Sequence, residues 1–494
     1  MLDDRKMGRG LIVAPYAGAL VMLAFLAWVP RVFEPVIRDD HARNIEIPEN
    51  LLHPMKVKAA YNHDTMFFRF LLPTDEPAYY HDYWVYEGEG SWRREGASTV
   101  GRQPHGVYED RITFFVDDGR VPEFGKWGGF VTASSSQMRF FTEAAHEEVI
   151  EHPHLGPQGH SDLRKWLPET RTDPDDWRTI KPPEELQALR EAGYFLDLWH
   201  WRAHRSNPIG YSDDQYILDY RLGDQGVAPW ATNWDPDEGR PIYMFDPDTT
   251  GQLAMRWEKV LAREYPQEDY RRYALILPGE HNLQNVVEFD PDHDWQAGDV
   301  LPRRLLREPQ QSRGDIQATG IYHEGAWLVD LWRLLDTGNP LDDKILKDQG
   351  LYQVAFAAHV LAHGSRWHYV SHPMTLGLSR RADIEALRFA GEGPPWDEVE
   401  WSELELFYPG QIDWAHLTGP GHAGAKDIAA GRMLPPNHTP EVLGQYAVQS
   451  EFRGEIRRQW LQTLVSVLLT LALVSAGVLL VMPGRGRSLE RSKP

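Results

Sequence analysis

The sequence predicts a mainly β protein, an immunoglobulin-like β-sandwich with insertions, flanked by one transmembrane helix near each end. Three observations carry that expectation. Short β-branched or aromatic runs recur between turn residues with a period of two, the pattern of half-buried strands. Aromatic residues make up 12% of the 494-residue chain, which suits pleated sheets and aromatic-walled pockets more than a helical bundle. Two long uncharged stretches, Leu11 to Val29 and Trp460 to Met482, stand near the termini.

Residues 1–30 read as a short tail and a membrane helix. The stretch from Leu11 is 19 residues long, beyond the apolar length of a cleavable signal, and Trp28-Val29-Pro30-Arg31 is no small-residue cleavage site. The β-domain is expected over 46–380. Its strands are Val57–Tyr61, Thr65–Leu72, Arg111–Val116, Tyr273–Leu277, Ala326–Leu331, Val354–Val360 and Arg366–Val370, at a spacing that favours a sandwich. Residues 142–193, rich in His, Pro and charge, read as an insertion over one end of the sandwich. Its one helix runs from Pro183 to Ala192 behind a double proline. Residues 381–457 are polar and Pro/Gly-rich, a wrapping segment that leads to the second span at 458–483 and a tail at 484–494. Arg5, Lys6 and Arg9 precede the first span, and Arg485, Arg487, Arg491 and Lys493 come after the second. The positive-inside rule then places both ends in the cytoplasm and the large domain across a bacterial inner membrane, in a two-pass protein.

Charge and composition exclude several functions. There are 73 acidic against 51 basic residues, a net charge of −22, so no nucleic-acid partner is expected. With no cysteine, the chain has no disulfide, thiolate zinc site, iron–sulfur cluster, covalent c-type haem or cysteine nucleophile. The zincin-like His146-Glu-Glu-Val-Ile-Glu-His152 has its histidines six apart, not four, and they cannot share a helix face. Asp290-Pro-Asp-His-Asp294 begins like a calcium loop, but Trp295 takes the glycine place and Leu301 that of the bidentate glutamate. Gly419-Pro-Gly-His-Ala-Gly424 lacks the strand and helix that a phosphate cradle needs. As acid–base groups, Asp213 and Asp214 fail together, because neighbours on a strand point to opposite faces.

One segment stands out. From Gly193 to Tyr216, aromatic planes alternate with His200, Arg202, His204 and Arg205, a mixture able to wall a flat apolar ring and meet carboxylates at its edge. The same residues also suit an aromatic-rich strand with salt-bridged arginines. The run Asp197-x-Trp-His-Trp-Arg-x-x-Arg-x-x-Pro-x-Gly-x-x-Asp-Asp214 occurs with Tyr108-Glu-Asp-Arg111, Gly314-Asp315, Gly325-Ala-Trp327, Leu331-Trp-Arg333, Leu335-Asp-Thr-Gly338 and His368-Tyr-Val-Ser371. Together these resemble the haem-binding domain family of the ethylbenzene dehydrogenase gamma subunit and its dimethylsulfide dehydrogenase relatives, the cytochrome c-552/DMSO reductase-like haem-binding domain. The resemblance covers roughly residues 50–380 in the same order.

That resemblance implies a DOMON-like sandwich with one haem b at an end of the sheets, relaying electrons in an extracytoplasmic redox complex. The gamma subunits resembled use methionine and lysine as axial ligands. Met138 is the candidate methionine, no lysine can be matched, and His200, His359 and His368 are candidates for the second ligand. Trp199, Arg202 and Arg205 complete the expected cofactor-binding set. Where many relatives carry a Cys-x-x-x-Cys-His-like stretch, Gly129, Ala133 and Ser134 stand here. Leu434-Pro-Pro-Asn-His438 likewise has the length of a haem-attachment motif without its cysteines. Three functional classes are implied. The first is a b-type, non-covalent haem subunit that passes electrons between other redox subunits, a molybdenum enzyme or cytochrome complex, and the membrane. The second is a scaffold subunit that has lost its haem. The third is a small-molecule or carbohydrate-binding module. None is catalytic in its own right.

Overall fold

The computed structural model describes residues 52–96, 107–133, 146–265, 267–279, 284–360, 368–407 and 453–481, apart from 162, 164 and 175. The chain divides into a unit from Asp39 to Ala447 and a second made of the two ends.

Among the described residues of the large unit, thirteen strands are joined by hydrogen bonds into one sheet. They are β1 (Leu52–Tyr61), β2 (Thr65–Pro73), β3 (Arg111–Asp117), β4 (Leu196–Arg202), β5 (Asp213–Ile217), β6 (Arg221–Gly223), β7 (Gln317–His323), β8 (Ala326–Leu334), β9 (Leu351–His359), β10 (Tyr369–Val370), β11 (Met374–Leu378), β12 (Ile384–Arg388) and β13 (Ser402–Phe407). The expected runs Val57–Tyr61, Thr65–Leu72, Arg111–Val116 and Ala326–Leu331 lie within these strands and most of Val354–Val360 does, whereas in Tyr273–Leu277 only Leu275–Ile276 is extended, in a separate sheet behind a 3-10 helix. The expected helix forms at Pro183–Glu191 with proline in its first turn.

Two packed sheets were the expectation, and the hydrogen bonding corrects it. Strands β1, β12, β11, β9, β10 and β13 close into a six-strand barrel. Two arms leave it, β2-β8-β7 from β1 and β3-β4-β5-β6 from β9. The physical reason is strand length. One edge of the ten-residue β1 is shared end to end, pairing with β13 along Leu52–Val57 and with β12 at Ala60 and Tyr61. Strand β9 does the same, with β11 along Leu351–Val354 and β10 at Ala357 and Ala358. Two long strands that each serve two short ones let a single sheet curl shut, which also removes edges.

Alternation sets the core. On β2 and β8 every second side chain is buried, including Phe68, Phe70, Trp327 and Leu331. These meet Phe114 of β3, Trp199 and Trp201 of β4 and Phe356 of β9 in one cluster. A smaller cluster lies on the other face of β3 and β4, where Phe115, Leu196 and Leu198 pack under the Phe124–Ala133 helix.

The second expected span coincides with a helix, Arg453–Val481. Its sequence opens with Arg453, Glu455, Arg457 and Arg458, and Gln462, Thr463, Ser466 and Thr470 interrupt the apolar run beyond them. The Ser466 and Thr470 hydroxyls donate back to the carbonyls of Gln462 and Ser466. Among the described residues, no helix is long and apolar enough to cross a membrane. This overturns the expected pair of flanking transmembrane helices and the two-pass inner-membrane placement. The first expected span, 11–29, lies outside the described residues.

Candidate functional site

The predicted residues are sorted by strand alternation. Ile112, Phe114 and Val116 of β3 and Trp199 and Trp201 of β4 face the main core. Arg111, Leu198, His200 and Arg202 therefore take the opposite face. Register brings them together, because Arg111 pairs with His359 of β9 on one side and with Arg202 on the other. His200 lies opposite Asp213 of β5. The ends of four adjacent strands thus carry a histidine- and arginine-rich row.

Arg202, fully buried, donates from Nη1 to Asp213 Oδ2 at 2.6 Å, and Asp213 Oδ1 accepts from Arg313 Nε at 2.7 Å. Arg202 Nη2 lies 2.8 Å from His200 Nδ1, with Gln215 Oε1 at 3.1 Å from the same nitrogen. A guanidinium only donates and an amide oxygen only accepts, so Arg202 and Gln215 make opposite demands on Nδ1. Burial, then the charge of Arg202, pushes His200 well below the usual histidine range and keeps it neutral. Among the described residues its Nε2 is buried without a hydrogen-bond partner, as are Arg202 Nε and Arg111 Nε.

Beneath this row, Glu109 organises the turn after β4. Its Oε2 accepts from the backbone N–H groups of His204 and Arg205, each at 2.8 Å, and Oε1 accepts from Arg205 Nε at 2.5 Å. Arg111 Nη2 is 3.4 Å from the same oxygen. Burial raises the Glu109 pKa, but Arg205 and Arg111 outweigh it and hold the carboxyl at about 2. Burial lowers Arg111 to about 10, with Tyr108 and Glu109 pulling up and Arg205 pulling down. Arg202 and Arg205 both stand over the Trp230 ring, at 4.5 and 5.0 Å. A chain of rings extends the site. His81 meets the edge of Tyr108 at 5.1 Å, Tyr108 is 6.0 Å from His359, and His359 stacks on His368 at 4.9 Å with 20° between planes. His368 in turn touches Phe130 of the Phe124–Ala133 helix, at 6.0 Å.

That helix leads toward Met138, which lies outside the described residues, as do Ser134 and His438. It lies close on β3, since a Cβ at Gly129 would come within 2.4 Å of the Phe115 ring. Glycine at a position where relatives are expected to carry cysteine is thus required by packing. Of the seven residues singled out, His200, Arg202, Arg205, His359 and His368 gather at this end of the sheet. Trp199 is directed into the core, 5.5 Å from Phe68 and 5.2 Å from Phe114. Asp213 and Asp214 part as alternation requires, the first to Arg202 and Arg313 and the second to Arg333 on the core side. Sequence reasoning did not single out Glu109, Arg111 as an open donor, or Trp230. An arginine in phase with the polar positions of an otherwise apolar strand was the available signal for Arg111.

Buried N–H groups without a hydrogen-bond partner among the described residues, beside stacked imidazoles, are chemically suited to meeting an anionic group. A family model described as ethylbenzene dehydrogenase matches residues 34–371, more than half of the chain and all of this site. The chain belongs to the ethylbenzene dehydrogenase family. No curated protein matches it. As a member of that family, the chain carries at this site Tyr108 and Arg111, His200 and Arg202, and His368, all within the matched span.

Proposed function

We propose that this chain is the b-type haem-binding, electron-transfer subunit of a redox complex built around a molybdenum dehydrogenase, and is not itself catalytic. Family membership supports the oxidoreductase setting. The observation that carries the haem reading is the donor row. Arg111 Nε and Arg202 Nε, which always carry a proton, and His200 Nε2 are buried without a hydrogen-bond partner among the described residues. Such a set fits the propionate carboxylates of a haem better than its iron, because guanidinium N–H groups donate to carboxylates and do not ligate metals.

The iron would be held elsewhere, by Met138 and by one imidazole of the stacked His359–His368 pair. Rings stacked at 4.9 Å and 20° lie face to face and cannot hold one iron between them from opposite sides, so a second ligand of another kind is needed. When bound, haem supplies a one-electron carrier whose potential is set by its axial ligands. The protein's part is to anchor the carboxylates, to keep His200 neutral through burial and Arg202, and to exclude water with the aromatic chain from His81 to Phe130.

The test is reconstitution of the purified full-length chain with haemin, read as a Soret band and a pyridine haemochrome. Haem should bind at one per chain, and Arg202→Met should cut haem per folded molecule about tenfold while the circular dichroism is retained. A folded chain that takes up no haem would sink the proposal and leave the haem-free scaffold.

A further inference from the structure

On the other side of β4 and β5, five carboxylates gather around one guanidinium. Arg333 Nη1 donates to Asp343 Oδ1 at 2.5 Å and Asp197 Oδ1 at 3.2 Å, and lies 3.3 Å from Asp214 Oδ2. Its Nη2 donates to Asp197 Oδ2 at 2.5 Å, and the guanidinium stacks on Trp199 at 4.5 Å. Nη1 and Nη2 of Arg333 are then engaged by three carboxylates, all buried, while its Nε has no hydrogen-bond partner among the described residues. Two more remain. Oxygens of Asp224, Asp342 and Asp343 lie within 4.8 Å of one another, and all three residues are buried. Asp342 Oδ2 has a long contact to the Gln225 N–H at 3.4 Å, and Asp343 Oδ2 accepts from Thr337 Oγ1 at 2.6 Å. The Asp224 carboxylate has no such donor. Both its oxygens are buried without a hydrogen-bond partner among the described residues, on a residue only 3% exposed. Arg313, whose charge reaches Asp224 through space, donates its Nε to Asp213 instead.

We infer that Asp224, Asp342 and Asp343 form a binding site for a calcium-type divalent cation. Burying an unpaired carboxylate is costly, and Arg333 bonds Asp343 but neither Asp224 nor Asp342, so the arrangement calls for further positive charge beside those two. The donors are all oxygen, with no imidazole and no thiolate among them, which selects a hard cation over zinc or copper. Asp224 presents both oxygens for bidentate contact, and neighbouring backbone carbonyls or water would complete the six to eight ligands that calcium takes. The cation would tie the turn after β6 to the loop after β8, directly behind the strands that carry His200 and Arg202. This site shares no ligand with the donor row, and it stands whether or not haem binds there.

Full-length protein stripped with EDTA and dialysed should bind one Ca2+ per chain in calorimetry and equilibrium dialysis, and Ca2+ should raise its melting temperature. Asp224→Asn should weaken binding by at least about tenfold, since even outer partners of a metal site cost that much, while the stripped form melts no lower than the stripped wild type. Asp290→Asn, in an exposed turn, should bind as wild type. If Asp224→Asn does not fold, Asp342→Asn and the wild-type stoichiometry decide. Absence of stoichiometric binding at millimolar Ca2+, or unchanged binding in a folded Asp224→Asn or Asp342→Asn, would mean that the carboxyls are held protonated and would overturn the assignment.

Discussion

Replacing Glu109 by Gln isolates the group on which the turn after β4 rests. The two side chains have nearly the same shape, so little packing is lost. The amide oxygen can keep the two backbone N–H groups of His204 and Arg205, now at 2.8 Å. The amide NH2 then faces Arg205 Nε, at 2.5 Å from the present oxygen, and Arg111 Nη2, at 3.4 Å. Donor meets donor, and a buried guanidinium loses its counter-charge. Breaking a buried pair in this way costs about 3–5 kcal/mol. For a domain of this size, roughly 2 °C per kcal/mol gives a fall of about 6–10 °C in melting temperature, read by circular dichroism at pH 7. The double variant Glu109→Gln/Arg205→Met should recover part of the loss, because it removes the stranded charge, and the cycle reports the coupling. A shift below about 2 °C in the single variant, or strict additivity in the double, would refute the view that the Glu109–Arg205 pair holds this turn.

Three further outcomes can be checked. Burial, against the pull of Glu109, lowers His204 to about 4, so the folded state resists a proton that the unfolded chain accepts below about 6.5. Its contribution is intact above 6.5 and is lost as pH falls toward 4, by about 3 kcal/mol at 1.36 kcal/mol per unit. The difference in stability between wild type and His204→Gln, measured by urea titration, should therefore change over that window and be flat from pH 7 to 8. Gly320→Ala should destabilise by about 1–3 kcal/mol through overpacking, since its Cβ would come within 2.4 Å of the Trp201 ring and 3.0 Å of Asn207 Oδ1; an unchanged denaturation midpoint would contradict the packing of β7 on β4. In haem-loaded protein, Met138→His should lower the reduction potential and Met138→Ala should open the iron to carbon monoxide. Identical spectra and potentials in both would remove Met138 from the proposed ligand set.

Much of the strand content was legible because period-two patterning reports which face a residue takes, and β2 and β8 obey it closely. Partnership was not, since alternation says nothing about which strand lies beside which. The barrel depends on β12 and β13, from a stretch that reads as polar linker. In Ser402-Glu-Leu-Glu-Leu-Phe407 the alternation is present but brief and set among turn residues. At the site, the aromatic segment drew attention to His200 and Arg202, which share a face, yet treated Trp199 as their neighbour, when the same alternation sends it into the core. Glu109 and the carboxylates around Asp224 were beyond reach for a different reason. Asp197, Asp224 and Asp343 are far apart in sequence, and a chain with 73 acidic residues gives no reason to single out these.

The barrel closes between strands from opposite ends of the large unit. Leu52–Val57 of β1 pairs with Ser402–Phe407 of β13, so one edge of the first strand waits until the last has been made. At ribosomal rates of about 5–20 residues per second, that wait is roughly 20–70 s. During it, the β1–β2 hairpin and the β8 strand that joins it can form, but an edge with Met55 and Val57 beside it stays unpaired. Contacts of such long sequence separation are slow to form, and an open edge is a template for neighbouring chains. Protein truncated before Ser402 should keep that edge and aggregate, and the intact chain should depend on chaperones during synthesis more than its final stability would suggest.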